Sequence, residues 1–429
     1  MSKAISKMQS VPQEAKLGMK TMFAVKGSDR LVKFQADRSE YAPGDSIKIN
    51  LSQTDYLLPR SSFFQFKAYA SSTDTTAHFK NHIASMIRRV RLTVGGRDLE
   101  LIDRYDQLHQ MLELCSDDST YDNTETYAIN TWATGAPAAA VTRDHNVGSR
   151  KWTEGCGSSE ERIAWKGERT YTLKLYTGFL QMNKLVPLWA LGDKIRIEID
   201  LASAAEACLA TNAAGLTFTV KDVVFQGHIH SMPSSYNSMV EQEIARGGIE
   251  YLFPSFDYQS IKVDGTSNNI LLSCKRRSIK FLLAVFRRVA NQISTSEEPA
   301  FIRAKLQEYQ MVTSNGSVNP STPLEVGAPS LLEVRRAFGK MHGNADKLDQ
   351  LTYSQYAVDA TATRFMVGME LEAFMAQDVI SGTDGLAEDL VLQLKHTEAV
   401  SDSDTYAHIY CVYDVAFKIG AGFLHEVKQ

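Results

Sequence analysis

The chain has 429 residues, which is too long for one ordinary hydrophobic core and fits about two or three domains. Its hydrophobic content of 44% and charged content of 22% are those of a folded soluble protein. The formal net charge of −4 argues against a protein that coats nucleic acid through a strongly basic surface.

The five cysteines lie far apart and form no Cys-x-x-Cys pair. This spacing matches no zinc or disulfide framework and predicts buried free thiols in a reducing compartment. The sequence begins without an apolar signal core, and no segment approaches the ~20 apolar residues of a membrane span. We therefore expect the chain to be synthesised as a soluble protein.

Residues 1–28 are predicted to form a basic N-terminal arm. The segment is polar, with Pro12 and Gly18 interrupting any long helix, and residues 1–33 hold seven lysines and arginines against two acidic residues. A terminus of this composition is expected to contribute to no core.

Strand patterns begin after the arm. Residues 47–51 alternate between aliphatic and polar side chains, which is the period of a half-buried strand. The pair Gly95–Gly96 predicts a hairpin that returns through Leu99 and Leu101. Residues 105–115 then have the apolar spacing of a helix.

Two stretches in this region break the regular pattern. Asp98 to Glu125 holds nine acidic residues against Arg104 alone. We interpret it as a solvated face, with a divalent-ion site at a subunit contact as the alternative. Residues 117–167 are polar and irregular, which predicts a long functional or mobile loop inside the first domain.

Residues 179–202 are the most informative stretch. We expect a short helix, a step at Pro187 and a turn, followed by a strand with isoleucines at 195, 197 and 199 on its dry face. The apolar residues before the turn, among them Trp189, should cap one end of the first core. Trp189→Ala is accordingly expected to cost about 3–5 kcal/mol.

The second half repeats this plan. Residues 364–395 also contain an apolar run, a glycine turn and an alternating strand. Ser234 to Gly248 has a capped helical pattern that ends in two glycines, and Leu331 to Met341 is the clearest helix.

The predicted fold is all-β, with two tandem eight-stranded jelly-roll β-sandwiches and short helices in the connecting loops. The first sandwich is assigned to residues 29–232, a linker helix to 233–248, and the second sandwich to 249–429.

No catalytic, cofactor-binding or metal site is predicted, since no nucleotide-binding loop, hydrolase motif or metalloprotease motif is present. His228-Ile-His230 places two imidazoles on one strand face, as in metal-binding jelly-roll enzymes, but the nearby glutamate that such sites need is missing. Residues 401–404 resemble a calcium loop without its glycine and final glutamate, so we expect a solvated turn.

Two arginine pairs, Arg276–Arg277 and Arg287–Arg288, bracket one predicted strand. We interpret them as the exposed ends of that strand, with a charged contact between subunits as the alternative.

An ordered set of short motifs resembles the double jelly-roll major capsid proteins of tectivirus-like phages, virophages, polinton-like viruses, adenovirus (the hexon) and large cytoplasmic DNA viruses. The motifs that carry the resemblance extend over about residues 30 to 425 and are Val90-Arg-Leu-Thr-Val-Gly-Gly, Val186-Pro-Leu-Trp-Ala-Leu-Gly with its following strand, Glu308-Tyr-Gln, Met369-Glu-Leu-Glu and Ile380-Ser-Gly. The long loop 117–167 departs from what the resemblance explains.

The resemblance implies a non-enzymatic viral capsid protein that forms homotrimers, and these trimers tile an icosahedral shell around the genome. It also implies contacts with neighbouring capsomers, with penton proteins and with minor capsid or cement proteins, and an N-terminal arm that reaches an internal membrane or the genome. The alternatives are a carbohydrate-binding or adhesive two-domain β-sandwich, suggested by Trp132, Trp152 and Trp165, and a jelly-roll metalloenzyme based on His228 and His230.

Overall fold

The structure is a computed structural model that describes residues 27–73, 77–80, 83–114, 169–210, 212–289, 293, 300–314, 316, 318–342, 356–358, 364–372, 382–400, 405–421 and 425–428. Several sequence predictions fall outside these residues. They are the arm up to residue 26, the whole loop 117–167 with its three tryptophans, Cys115, Cys156 and the turn 401–404.

Twelve strands precede residue 232. They are β1 (Ser28–Gln35), β2 (Glu40–Tyr41), β3 (Ser46–Leu51), β4 (Tyr56–Ser71), β5 (His78–Phe79), β6 (Ile87–Val94), β7 (Arg97–Asp103), β8 (Arg169–Leu173), β9 (Val186–Pro187), β10 (Ile195–Leu201), β11 (Cys208–Leu209) and β12 (Thr217–Ser231).

Nine strands follow. They are β13 (Ile249–Lys262), β14 (Gly265–Leu271), β15 (Ile279–Arg288), β16 (Leu306–Thr313), β17 (Val318–Glu325), β18 (Val367–Glu370), β19 (Leu390–Val400), β20 (Thr405–Ile419) and β21 (His425–Lys428).

The helices lie in the connections. The α-helices are α1 (Tyr105–Leu114), α2 (Ala204–Ala207), α3 (Ser234–Arg246) and α4 (Ala328–His342), and two 3-10 helices cover Ile83–Met86 and Leu188–Ala190. Within the described part of the chain, every helix is too short or too polar to cross a bilayer.

The two halves have the same topology. In the first half the two main sheets run in the order β1-β12-β4-β8 and β3-β10-β6-β7. In the second half the orders are β13-β20-β15-β18 and β14-β19-β16-β17. Each of these strands has a counterpart at the same place in the sheets of the first half. All of these pairings are antiparallel, so each half is an eight-stranded jelly roll with its core between two sheets. The predicted fold class is confirmed.

The predicted strand of residues 195–201 is confirmed as β10, whose residues Ile195, Ile197 and Ile199 are buried. The segment before it differs from the prediction, because the short helix follows Pro187 instead of preceding it. Pro187 has a φ of −72°, which suits the residue that enters a helix but not its middle. Trp189 is only half-buried and packs edge-to-face on Tyr56, at 6.1 Å between ring centroids. The cost of about 3–5 kcal/mol expected for Trp189→Ala stays a prediction.

The hairpin at Gly95–Gly96 is confirmed, with positive φ angles at both glycines as its tight turn requires. The returning strand differs from the expected pattern because its register shifts next to Leu99. This bulge leaves Leu101 exposed and turns Glu100 inward, opposite Leu92.

The helix predicted between the two halves is confirmed as α3, although Pro233 at its N-terminal cap makes no side-chain capping bond. The sequence patterns missed β17, which contains Pro320 and Pro323. Proline is tolerated there because, among the described strands, β17 lies at a sheet edge and pairs with β16 alone. The final strand, β21, was also missed.

Candidate functional site

The most distinctive site in the described residues is the contact between the two jelly rolls, which we call the seam. On one side it contains α1 and the turn after β8, and on the other side it contains β13, β15 and β20. Tyr258 and Tyr410 are paired across β13 and β20 and therefore share one sheet face. The opposite face carries Phe286, which packs on Phe365 inside the sandwich. The seam therefore lies on the outer face of the second jelly roll.

A buried carboxylate stabilises one end of the seam. Glu100 is fully buried and accepts hydrogen bonds from the backbone N–H groups of Gly178 (2.8 Å) and Phe179 (2.9 Å). Burial raises the pKa of Glu100 to about 7, against the lowering effect of these two bonds.

The turn held by Glu100 packs directly on the second jelly roll. A Cβ atom on Gly178 would lie 1.6 Å from the carbonyl oxygen of Pro254, and the rings of Phe179 and Phe253 are in edge contact at 5.8 Å. Only glycine permits this approach of the two backbones.

Arg104 links the two halves at the start of α1. Its backbone carbonyl accepts a 2.8 Å hydrogen bond from the hydroxyl of Tyr410. Its guanidinium donates to Glu206 at 2.7 Å and lies 3.3 Å from Asp106. Burial acts to raise the pKa of Glu206, but the hydrogen bond from the Arg104 guanidinium acts in the opposite direction. The pKa of Glu206 is therefore lower than that of an ordinary glutamate.

A second arginine is buried on the other side of the seam. Arg287 is 3% exposed, donates to the side-chain oxygen of Gln110 on α1, and stacks over Phe301 at 4.5 Å. Burial lowers the pKa of Arg287 to about 10. The interpretation of Arg287 as part of an exposed strand end is wrong, because α1 covers it. Arg277 and Arg288 are exposed and Arg276 is half-buried over Tyr413.

His408 lies on the same face as Tyr410 and is 4% exposed. Its Nδ1 is 2.7 Å from the hydroxyl of Tyr258, and the two rings are stacked. Burial, together with the positive charges of Arg287 and Arg104, lowers the pKa of His408 to about 3. The imidazole is therefore neutral at physiological pH.

The linker helix reinforces the connection. Tyr236, Val240 and Ile244 of α3 are buried, and Asn237 accepts a 2.8 Å hydrogen bond from Tyr56 of the first jelly roll. Tyr251 of β13 donates to the carbonyl of Leu185 at 2.9 Å.

The histidine pair singled out in the sequence is half-buried on the outer face of β12. His228 Nδ1 lies 3.3 Å from His230 Nε2, and His228 Nε2 lies 3.5 Å from Asp29. Within the described ranges, no group of three or more metal-ligating side chains is arranged to hold an ion.

The remaining sequence candidates have plain structural roles. Cys208, Cys274 and Cys411 are buried free thiols, as predicted. The description of Asp98 to Glu125 as a solvated face is wrong for Glu100. No sequence signal identified Glu100, Arg104, Arg287 or His408 as seam residues, since glutamate and arginine are mostly exposed and histidine is intermediate in burial.

No protein-family model and no curated protein sequence matches this chain. Among solved structures, the PBCV-1 virus capsid superimposes with a TM-score of 0.64 and 11% identity, covering 96% of this chain and 99% of that one. The Sputnik virophage particle superimposes with a TM-score of 0.58 and 13% identity, covering 96% of this chain and 90% of that one. The Faustovirus major capsid protein superimposes with a TM-score of 0.58 and 7% identity, covering 93% of this chain and 91% of that one. The chain therefore has the double jelly-roll fold that these viral capsid proteins share.

Proposed function

We propose that this chain is a viral major capsid protein. In this proposal it forms homotrimers, and the trimers tile an icosahedral shell that encloses the genome. The proposal gives it no catalytic, cofactor-binding or metal site, and it locates the mature protein in the virion.

The observation that supports the proposal most is the seam between two jelly rolls of identical topology. The seam buries charged residues such as Arg287 and Glu100 and joins the two halves through hydrogen bonds and close backbone packing. A building block made of two joined jelly rolls suits self-association through large surfaces. The match over nearly the full length of solved capsid proteins supports the same conclusion.

The test is expression of the full chain, size-exclusion chromatography with light scattering, and negative-stain microscopy. We expect a mass three times the 47.7 kDa of one chain, and three-fold particles that assemble into shells or sheets. A monomer at all concentrations that is retained on a sugar affinity column would contradict the proposal and favour the carbohydrate-binding alternative.

We further propose the domain division 1–28, 29–232, 233–248 and 249–429. The placement of α3 between β12 and β13 supports the linker. In the assembled shell, the proposed partners are neighbouring capsomers, penton proteins and minor capsid or cement proteins.

The basic arm is proposed to contact an internal membrane or the genome. Each lysine near an anionic surface contributes roughly 1 kcal/mol, and salt screens this attraction. Deleting residues 1–20 should leave trimer melting in calorimetry unchanged and impair shell assembly or its salt tolerance. A truncated trimer that melts well below the full-length one would contradict a role outside the fold.

A further inference from the structure

Three charged side chains meet in a buried cluster at the start of β15. The amine Nζ of Lys280 lies 3.1 Å from Oδ1 of Asp414 on β20 and 3.3 Å from Oε1 of Glu372. The side chains of Lys280, Glu372 and Asp414 are only 14%, 7% and 4% exposed. An amine, a carboxyl carbon that it can attack and a second carboxylate therefore lie in contact at a site that is largely shielded from water.

The backbone brings these three groups together. The strands β15 and β20 are antiparallel neighbours, and the register between them shifts at Lys280. The N–H of Asp414 donates to the carbonyl of Ser278 at 3.0 Å, which aligns β20 with the start of β15. The N–H of Leu371 donates to the carbonyl of Lys280 at 2.7 Å, and Glu372 follows directly. Each of the three side chains is therefore positioned by a hydrogen-bonded backbone next to it.

The cluster differs from an ordinary ion pair in two respects. It holds two carboxyl groups for one amine, whereas an ion pair needs only one. In addition, the two oxygens of Asp414 have different neighbours, because Oδ1 faces the amine while Oδ2 accepts a 2.8 Å hydrogen bond from Ser278 Oγ. Ser278 Oγ in turn accepts a 3.3 Å hydrogen bond from the N–H of Gly382. This arrangement suits acyl transfer, in which a fixed donor stabilises the oxygen that gains negative charge.

We propose that Lys280 and Asp414 form an amide (isopeptide) bond within the chain, and that Glu372 transfers the protons. Glu372 moves two protons in turn from Nζ to Oδ1, while the nitrogen lone pair attacks Cγ of Asp414. The N–Cγ bond forms, the Cγ–Oδ1 bond breaks, and Oδ1 leaves as water. One ammonium and one carboxylate thus become one neutral amide and one water molecule, and Glu372 returns to its starting state.

The reaction modifies the chain once and turns over no substrate. The amide joins neighbouring strands whose linked residues lie far apart in the sequence. Closing so long a loop restricts the unfolded chain, as a disulfide does, but an amide also persists in a reducing compartment. Because β20 pairs on its other side with β13, the bond fastens the sheet that contacts the first jelly roll. The bond forms within one chain and does not depend on association between copies.

The test is the intact mass of the full chain after denaturation and reduction. Wild type should be lighter than its sequence by one water molecule, and a protease digest should contain a branched peptide that joins Lys280 to Asp414. Lys280→Arg keeps the positive charge but lacks the attacking amine, and Glu372→Gln cannot accept the protons. Both variants should have the full sequence mass. The matched control is Lys305→Arg, at an exposed pair with Glu398, and it should lose water as wild type does.

Three results would count against this assignment. Wild type at the full sequence mass would overturn the amide bond. A loss of water that persists in Lys280→Arg would also overturn it, because the water would then come from another reaction, such as imide formation at an aspartate. A branched peptide that still forms in Glu372→Gln would overturn the role of the glutamate. Since the mass is measured on single denatured chains, each of these results leaves the capsid proposal intact.

Discussion

The helices α1 and α4 follow equivalent strands in two copies of one fold, yet they bury different residues. Gln107, His109 and Gln110 of α1 are buried together with its apolar side, whereas the buried positions described in α4 are Ser330, Val334 and Ala337. The difference follows from the neighbours, since α1 lies between two jelly rolls and α4 packs on one. A helix's place in the chain order therefore does not determine which of its residues are buried. Variants at the seam should show how much stability comes from the contacts between the two jelly rolls.

The largest effect is expected at Gly178, where the backbones of the two jelly rolls are in close contact. Gly178→Ala places a Cβ atom 1.6 Å from the carbonyl oxygen of Pro254, and a backbone atom cannot move aside as a side chain can. We expect a loss of at least about 4 kcal/mol in the free energy of unfolding, or an insoluble protein. The matched control is Gly247→Ala, whose Cβ would meet nothing within 4 Å. Denaturant unfolding of both variants measures the difference, and equal stability would contradict the close contact.

The next largest effect is expected at Arg287. Truncation to alanine removes the packing on Phe301 and leaves Gln110 of α1 without this donor, which should cost about 3 kcal/mol. Arg287→Met keeps most of the volume without the buried charge and should be close to neutral. The exposed neighbour Arg288 is the control, and its alanine variant should change stability by less than about 0.5 kcal/mol. A methionine variant as unstable as the alanine variant would show that the charge itself stabilises the seam.

Glu100 should give the seam a pH dependence. Its folded-state pKa of about 7 lies above the ordinary value of 4.5, so its contribution to stability is fully present below pH 4.5 and is lost as the pH rises through 7. His408 acts in the opposite direction, because its folded-state pKa of about 3 is depressed and its contribution is lost as the pH falls below 6.5. The quantity to compare is therefore the difference between wild type and Glu100→Gln, which both retain His408.

The free energy of unfolding of wild type, relative to that of Glu100→Gln, should rise by roughly 2 kcal/mol when the pH is lowered from 7.5 to 5. Urea unfolding at a series of pH values measures it. Glu250→Gln, at an exposed position on β13, serves as the control and should show no such shift. A constant difference across this range would mean that Glu100 does not titrate there.

The sequence was sufficient to predict the elements whose pattern is local. The alternation of residues 195–201, the glycine pair at the hairpin and the helix of residues 234–246 were all recognised, and two similar halves follow from them. The seam could not be predicted, because Glu100 is turned inward by a bulge and Arg287 is covered by a helix nearly 180 residues earlier in the chain. Burial of this kind depends on tertiary neighbours. In the same way, β17 was missed because its prolines are acceptable only at a sheet edge.

The smallest effect should come from the outer faces of the two smaller sheets, at one charged and one neutral cross-strand contact. In the first jelly roll, Arg91 lies 2.6 Å from Asp98 and 3.6 Å from Glu198. In the second, the corresponding neighbours include the amide pair Gln310 and Gln393, which is joined by a 2.9 Å hydrogen bond. Exposed ion pairs contribute at most about 1 kcal/mol and weaken with salt, whereas a hydrogen bond between neutral amides does not depend on long-range charge.

Arg91→Ala should therefore lower the free energy of unfolding by about 0.5–1 kcal/mol at about 0.05 M salt and by only a few tenths at about 1 M, because the screening length falls from more than ~10 Å to ~3 Å. Gln393→Ala should cost about 0.5 kcal/mol at both salt concentrations. Parallel denaturant titrations of wild type and both variants at the two salt concentrations measure these effects. If the loss in Arg91→Ala is the same at both, the arginine stabilises the sheet by packing its aliphatic stem across β6 and β10. In that case the two outer faces differ in composition but not in the kind of interaction that stabilises them.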